Sequence, residues 1–123
     1  MTDSIQALTD KVTAFRDARD WKQYHNPKDM AISICLEAAE LLEVFQWSGA
    51  DVEADTEKKQ AKIREELADV LIYALLMAKD LDLDISEIVS EKIAENDRKY
   101  PADQAYGKAD KYTAYMQKKE ESK

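Results

Sequence analysis

With 123 residues, 45% hydrophobic and 36% charged, the chain suits a single globular domain with one modest core. Its 26 acidic residues against 18 basic ones give a formal net charge of -8, which leaves no basic footprint for a phosphate backbone and excludes a nucleic-acid partner. The single cysteine, Cys35, excludes an internal disulfide, and the longest apolar run, Val70 to Ala78, is far short of the ~20 residues of a membrane span.

The elements follow in order. Ile5, Leu8, Val12 and Phe15 recur at 3-4-3 spacing and predict a first helix from about Ser4 to Arg19, capped by Asp3 with Gln6. The connector "DWKQYHNP" then gathers Trp21, Tyr24 and His25. Asn26 as N-cap and Pro27 in the first turn open a second helix that should end near Gly49. After a short acidic loop, Ala50 to Asp55, a third helix is predicted from about Thr56 to Asp80. Asp84 and Glu87 have the capping-box spacing for a fourth, which should stop before Pro101. No strand pattern is present, and four helices of these lengths predict an all-α four-helix bundle. Residues 1–101 form the expected domain. Residues 102–123, with Gly107 and several lysines, read as a short helix or a tail. The polar first ten residues carry no signal-peptide core, so a soluble, cytoplasmic protein without a membrane partner is expected.

Two pairs of acids stand out. Glu37 and Glu40 lie three apart in "ICLEAAELLEVFQW", and Glu66 and Asp69 lie three apart in "EELADVLIYALLMA". Residues three apart share a helix face, so each pair sets like charges side by side. One reading is a solvated stripe: Ser33, Glu37, Glu40 and Glu43 on the second helix, and Lys62, Glu66, Asp69 and Tyr73 on the third. Against it, the residues four places on are Leu41, Val44, Val70 and Tyr73, none of them a cation. The apolar flanks also predict that both helices are buried nearly all round, and buried carboxylates are normally paired or hold a metal. Two such helices face to face would bring four carboxylates together. That is an all-oxygen site of the kind suited to Mg²⁺. A di-iron or zinc centre is disfavoured, because the one histidine, His25, lies outside both helices.

Trp21 and Trp47 can cap the core or stack a planar base. Lys92, Asn96 and Lys99 share a face of the fourth helix, either as a solvated surface or as donors to phosphate oxygens. Lys108 and Lys111 add positive charge beyond it.

In this order and combination, "RDW" (Arg19 to Trp21), His25, Glu37 and Glu40, "FQW" (Phe45 to Trp47), "EELADVLIY" (Glu65 to Tyr73), Asn96, "KYP" (Lys99 to Pro101) and "KYT" (Lys111 to Thr113) form one pattern. It resembles the MazG-like all-α nucleoside triphosphate pyrophosphohydrolases, within them most closely the dCTP pyrophosphatases, over about Phe15 to Thr113. The resemblance implies Mg²⁺ held by Glu37, Glu40, Glu66 and Asp69, which would also carry the catalysis. It implies a base pocket of Trp21, Trp47 and His25. Tyr73, Lys92, Asn96, Lys99, Tyr100 and Lys111 are the further candidates for contact with the nucleotide. It also implies a homo-oligomer, dimer or tetramer, acting on a nucleoside triphosphate, with sites that a neighbouring subunit can complete. Leu36 stands where the wider family often has a first glutamate, and Ala39 where it has glycine. Lys99 replaces a frequent arginine, and a lysine offers phosphate a point charge rather than a fork. The expected reaction is hydrolysis of dCTP or a modified dCTP to the monophosphate and pyrophosphate. The alternatives are another or damaged nucleotide such as dUTP, and a non-catalytic helical oligomerisation module.

Overall fold

Ser4, in extended conformation, accepts a hydrogen bond from the Ala7 amide at 3.0 Å and so starts α1 (Ile5–Asp17). The expected capping partner Asp3 lies outside the described residues, which are 4–109 in this computed structural model. α1 buries Thr9 and Arg16, while Ile5, Leu8 and Phe15 of the expected apolar stripe remain exposed. It stops two residues earlier than expected. The amides of Arg19 and Asp20 bond to carbonyls three residues back, and Asp20 turns left-handed at φ 55°. A single 3₁₀ turn (Trp21–Tyr24) leads to Asn26, which caps the Asp29 amide at 2.9 Å and opens α2 (Pro27–Glu43).

α2 also ends early, at Glu43 rather than near Gly49. From Val44 to Gln46 each amide reaches back three residues instead of four, and Trp47 then adopts φ 67°. An apolar pattern persists through this stretch, but a left-handed residue cannot continue an α-helix. The loop is tied by Ser48 Oγ to the Asp51 carbonyl at 2.8 Å and by an ion pair between Lys59 and Asp51. Thr56 caps α3 (Glu57–Asp80) by accepting from the Lys59 amide at 3.2 Å. α3 closes in a Schellman motif: Asp82 is left-handed at φ 55°, its amide bonds to the Lys79 carbonyl, and the Leu83 amide bonds to that of Ala78 at 2.8 Å.

The chain divides after Ile85 into two compact units. In the first, α3 packs against both α2 and α1. Met30, Leu76 and Ala78 are its buried apolar residues, joined by Thr9, Arg16 and Glu66. The expectation that α2 and α3 are buried nearly all round fails. Ile32, Leu36 and Leu42 on α2 and Leu67, Leu71 and Ile72 on α3 are exposed, as is Cys35. Within a unit of three packed helices, α2 meets a neighbour along one side and leaves the rest of its apolar surface to solvent.

The second unit holds all but the first residue of α4 (Ile85–Lys99), which begins directly after Asp84, and the one-turn α5 (Ala102–Ala105) after Pro101. α5 is the short helix that the sequence left open for this segment. No strand occurs among the described residues, so the all-α class stands. None of their helices is long and apolar enough to cross a membrane.

Candidate functional site

Glu37 and Glu40 lie one turn apart on α2, and Glu66 comes from α3 packed against it. One carboxylate oxygen from each lies within 4.8 Å of the others. Glu66 is only 2% exposed. Lys62, one turn before it, donates to Glu66 Oε1 at 2.8 Å. The second oxygens of Glu66 and of Glu37 are buried without a hydrogen-bond partner. Asp69, the fourth expected acid, is half-buried one turn beyond Glu66 and is not part of this three-acid group.

The charges settle unequally. Lys62, and then Glu40, hydrogen-bond the ionised Glu66 and hold its carboxyl below the usual range. Glu40 moves the other way, to about 7, chiefly through its hydrogen bond to Glu66 and then through the charge of Glu37. In the absence of a cation Glu40 is therefore the acid that carries a shared proton. The unfolded chain releases that proton near 4.5, so between about pH 4.5 and 7 the native state binds more protons than the unfolded one. Stability then falls as pH rises through that window. The lowered carboxyls of Glu66, Asp51 and Glu95 act with the opposite sign and at lower pH. The melting temperature in EDTA is thus expected to decline from pH 5 to pH 7, and to decline less in Glu40→Gln. An equal decline in both proteins would clear Glu40 of that role.

Whether these acids fit a cation can be judged from their oxygens. Opposite ligands of Mg²⁺ stand roughly 4.2 Å apart, twice a bond of about 2.1 Å. Adjacent ligands stand closer, roughly 3.0 Å apart, so three oxygens within 4.8 Å of one another must draw together to share one ion. The two buried oxygens that lack partners, on Glu37 and Glu66, are the acceptors a cation would satisfy. The donor set is all oxygen, as a hard cation requires.

Of the expected base-binding groups, His25 and Tyr73 come together, with ring centroids 6.4 Å apart, and His25 Nδ1 is buried without a partner. Trp21 meets Phe15 edge-on at 5.8 Å. The Arg19 guanidinium lies 3.7 Å from the Phe15 ring centroid and 5.9 Å from that of Trp21. Arg19 and Phe15 are not among the site residues read from the sequence, although they lie four apart within the predicted first helix, at the spacing of a cation–π pair. Trp47 stands apart from these rings' contacts, 93% exposed. A 420 Å³ groove beside the end of α2, lined by Ala39, Leu42, Glu43, Phe45 and Gln46, includes none of the expected base-binding residues.

In the second unit, Lys92 and Lys99 both pair with Glu95, at 3.3 and 2.9 Å. The Asn96 carbonyl accepts from the Tyr100 amide at 2.8 Å. Lys111, with the "KYT" motif, lies outside the described residues.

The MazG-like family matches the chain over residues 32–114. The chain is 37% identical over 103 residues to dCTP pyrophosphatase 1 of Mus musculus, covering 80% of this chain and 60% of that protein. The same figures hold for dCTP pyrophosphatase 1 of Homo sapiens. The chain thus spans about 60% of the length of these curated relatives. A solved pyrophosphatase from Archaeoglobus fulgidus is 40% identical and superposes with a TM-score of 0.72, over 82% of this chain and 95% of its own.

Proposed function

The chain belongs to the MazG-like family, and on that premise we propose that it hydrolyses a nucleoside triphosphate to the monophosphate and pyrophosphate in a Mg²⁺-dependent reaction. The observation that carries this reading is the convergence of Glu37, Glu40 and Glu66, with two buried carboxylate oxygens left without partners. Asp69, one turn along α3, is assigned to the same site as a fourth carboxylate. When bound, Mg²⁺ would supply charge neutralisation on the triphosphate and acidify a coordinated water.

The chain's own groups divide the remaining work. Glu66, ionised and fixed by Lys62, anchors the site. Glu40 is the solvent-exposed acid of the three and the one with the highest proton affinity. It is placed to take the proton as a water oxygen bonds to the α-phosphorus and the bond to the pyrophosphate oxygen breaks. Trp21, His25, Trp47 and Tyr73 supply flat surfaces and a hydrogen-bonding ring for the base. Lys92, Asn96, Lys99, Tyr100 and Lys111 are assigned to the nucleotide's polar groups. For Lys92 and Lys99 that requires exchanging Glu95 for phosphate.

dCTP or a modified dCTP is the proposed substrate, by likeness to relatives named for dCTP. Another or damaged deoxynucleotide, such as dUTP, keeps the same chemistry. The exposed Ile32, Leu36, Leu42, Leu67 and Leu71 support a homo-oligomer, dimer or tetramer, that covers this apolar surface.

The test is one preparation of the full chain. Light scattering first reports its mass. It is then incubated with each deoxynucleoside and nucleoside triphosphate, with Mg²⁺ or with EDTA. Monophosphate and pyrophosphate formed only with Mg²⁺, and fastest from dCTP, are expected. Release of inorganic phosphate instead, or no turnover of any natural or modified nucleotide, would reject the reading and leave a non-catalytic helical module.

A further inference from the structure

We propose that Lys62 is the resident counter-ion of the acid cluster: it holds Glu66 while no divalent cation is present, and yields that oxygen when one binds. This rests on the reading of Glu37, Glu40 and Glu66 as a cation site.

Lys62 precedes its partner by four residues on α3, with Nζ 2.8 Å from Glu66 Oε1. Lysine ahead of glutamate is the weaker order for a pair on a helix, so helix preference alone accounts poorly for this contact. The cluster accounts for it. Three carboxylates within 4.8 Å repel one another, and a cation on the most buried of them relieves that repulsion.

The two partners differ in freedom. The Lys62 side chain is 51% exposed and that of Glu66 only 3%. When the contact breaks, the lysine can swing away and the glutamate cannot follow. Lys62 also has a second partner close by: Glu65 Oε2, on an exposed side chain, lies 3.9 Å from Nζ. The ammonium thus has two acids within reach, one inside the cluster and one at the surface. A divalent cation on Glu66 would repel Lys62 toward Glu65 and solvent, where its three donors are free for phosphate oxygens. A cation would then bind better together with a polyphosphate than by itself, because phosphate oxygens offer the displaced lysine a more highly charged partner than the exposed Glu65.

The test needs no nucleotide and no turnover. Metal-stripped full-length protein is titrated calorimetrically with Mg²⁺ alone and with Mn²⁺ alone, as wild type, Lys62→Met and Lys62→Arg. Lys58→Met removes the same charge about 12 Å further back along α3 from Glu66, at 1.5 Å per residue. Coulomb's law at a solvated site makes one unit charge beside a divalent ion worth about tenfold in affinity. Lys62→Met should bind the cation about five- to tenfold more tightly and melt at a lower temperature when metal-free. Lys62→Arg should bind no more tightly than wild type, and Lys58→Met should change affinity less than twofold. Wild type that binds the cation, with Lys62→Met equal or weaker, overturns the role given to Lys62 and leaves the proposed function standing. Wild type that binds neither cation overturns the cation site and this inference with it. If Lys62→Met does not fold, Lys62→Arg decides: tighter binding than wild type would overturn the proposal.

Discussion

Glu66→Gln is expected to lower the rate of triphosphate hydrolysis by at least about a hundred- to thousandfold, the scale on which one preorganised electrostatic group contributes to catalysis. The substitution keeps the shape of a side chain that is 3% exposed and removes its charge. It also takes the ionic partner from Lys62 and one of three converging carboxylates from the cluster. Little structural cost is expected, because the amide oxygen can still accept from Lys62, so the helical circular dichroism should match wild type. Binding of Mg²⁺ alone should weaken in parallel. Glu43→Gln is the control. Glu43 continues the stripe of Glu37 and Glu40 at the same spacing of three, yet it is exposed and outside the cluster. A solvated acidic stripe predicts that neither change matters. A metal centre predicts that Glu66→Gln is inactive and Glu43→Gln is not. Near wild-type turnover in Glu66→Gln would remove the cluster from the chemistry.

The contrast between Glu43 and Glu40 also marks what the sequence could say. Spacing places Glu37 with Glu40 and Glu66 with Asp69, because a step of three on a helix returns to nearly the same face. It does not say which member of a pair meets the opposite helix. A step of three still turns about 60° and climbs about 4.5 Å, enough to bring Glu66 to the α2 acids and leave Asp69 outside the group. Helix starts were legible: Asn26 caps as read, and Thr56, read as the approximate start of the third helix, is its cap. Helix ends were less so. The apolar pattern runs through Phe45 and Trp47, and nothing in it announces that Trp47 turns left-handed. The stripe on α1 misled for a different reason. Apolar periodicity names Leu8 and Phe15, whereas packing on α3 buries Thr9 and Arg16. Arg16 goes inside because of a partner 64 residues away, a distance at which local pattern carries no signal.

That partner makes Arg16→Met the change with the largest expected effect on stability. Arg16 is 2% exposed, and its Nη1 donates to both oxygens of Asp80, at 2.9 and 2.7 Å. Its Nε reaches Asp17 at 3.3 Å. Asp80 is the last residue of α3, where the helix carbonyls already make an acid unfavourable. Arg16 therefore offsets two penalties, the burial of its own charge and the place of Asp80, whose side chain is 17% exposed, at the negative end of the helix. Removing it should destabilise the protein by about 2–3 kcal/mol, between the ~1 kcal/mol of an exposed pair and the ~3–5 kcal/mol of breaking a fully buried one, because Asp80 keeps contact with water. A domain of this size has a total of about 5–15 kcal/mol, so urea unfolding at fixed protein concentration should show a greatly reduced midpoint. Methionine refills most of the volume, so the loss would report the stranded charge rather than a cavity. The double variant Arg16→Met with Asp80→Asn separates the two: deleting the stranded carboxylate should restore part of the stability. Asp80 lies 14 residues beyond Glu66 on α3, roughly 21 Å along the axis. In conditions where Arg16→Met stays folded, Mg²⁺ affinity should therefore match wild type. Stability within about 1 kcal/mol of wild type would mean that water reaches this pair, since exposed ion pairs contribute about that little, and that α1 is held to α3 by apolar contact alone.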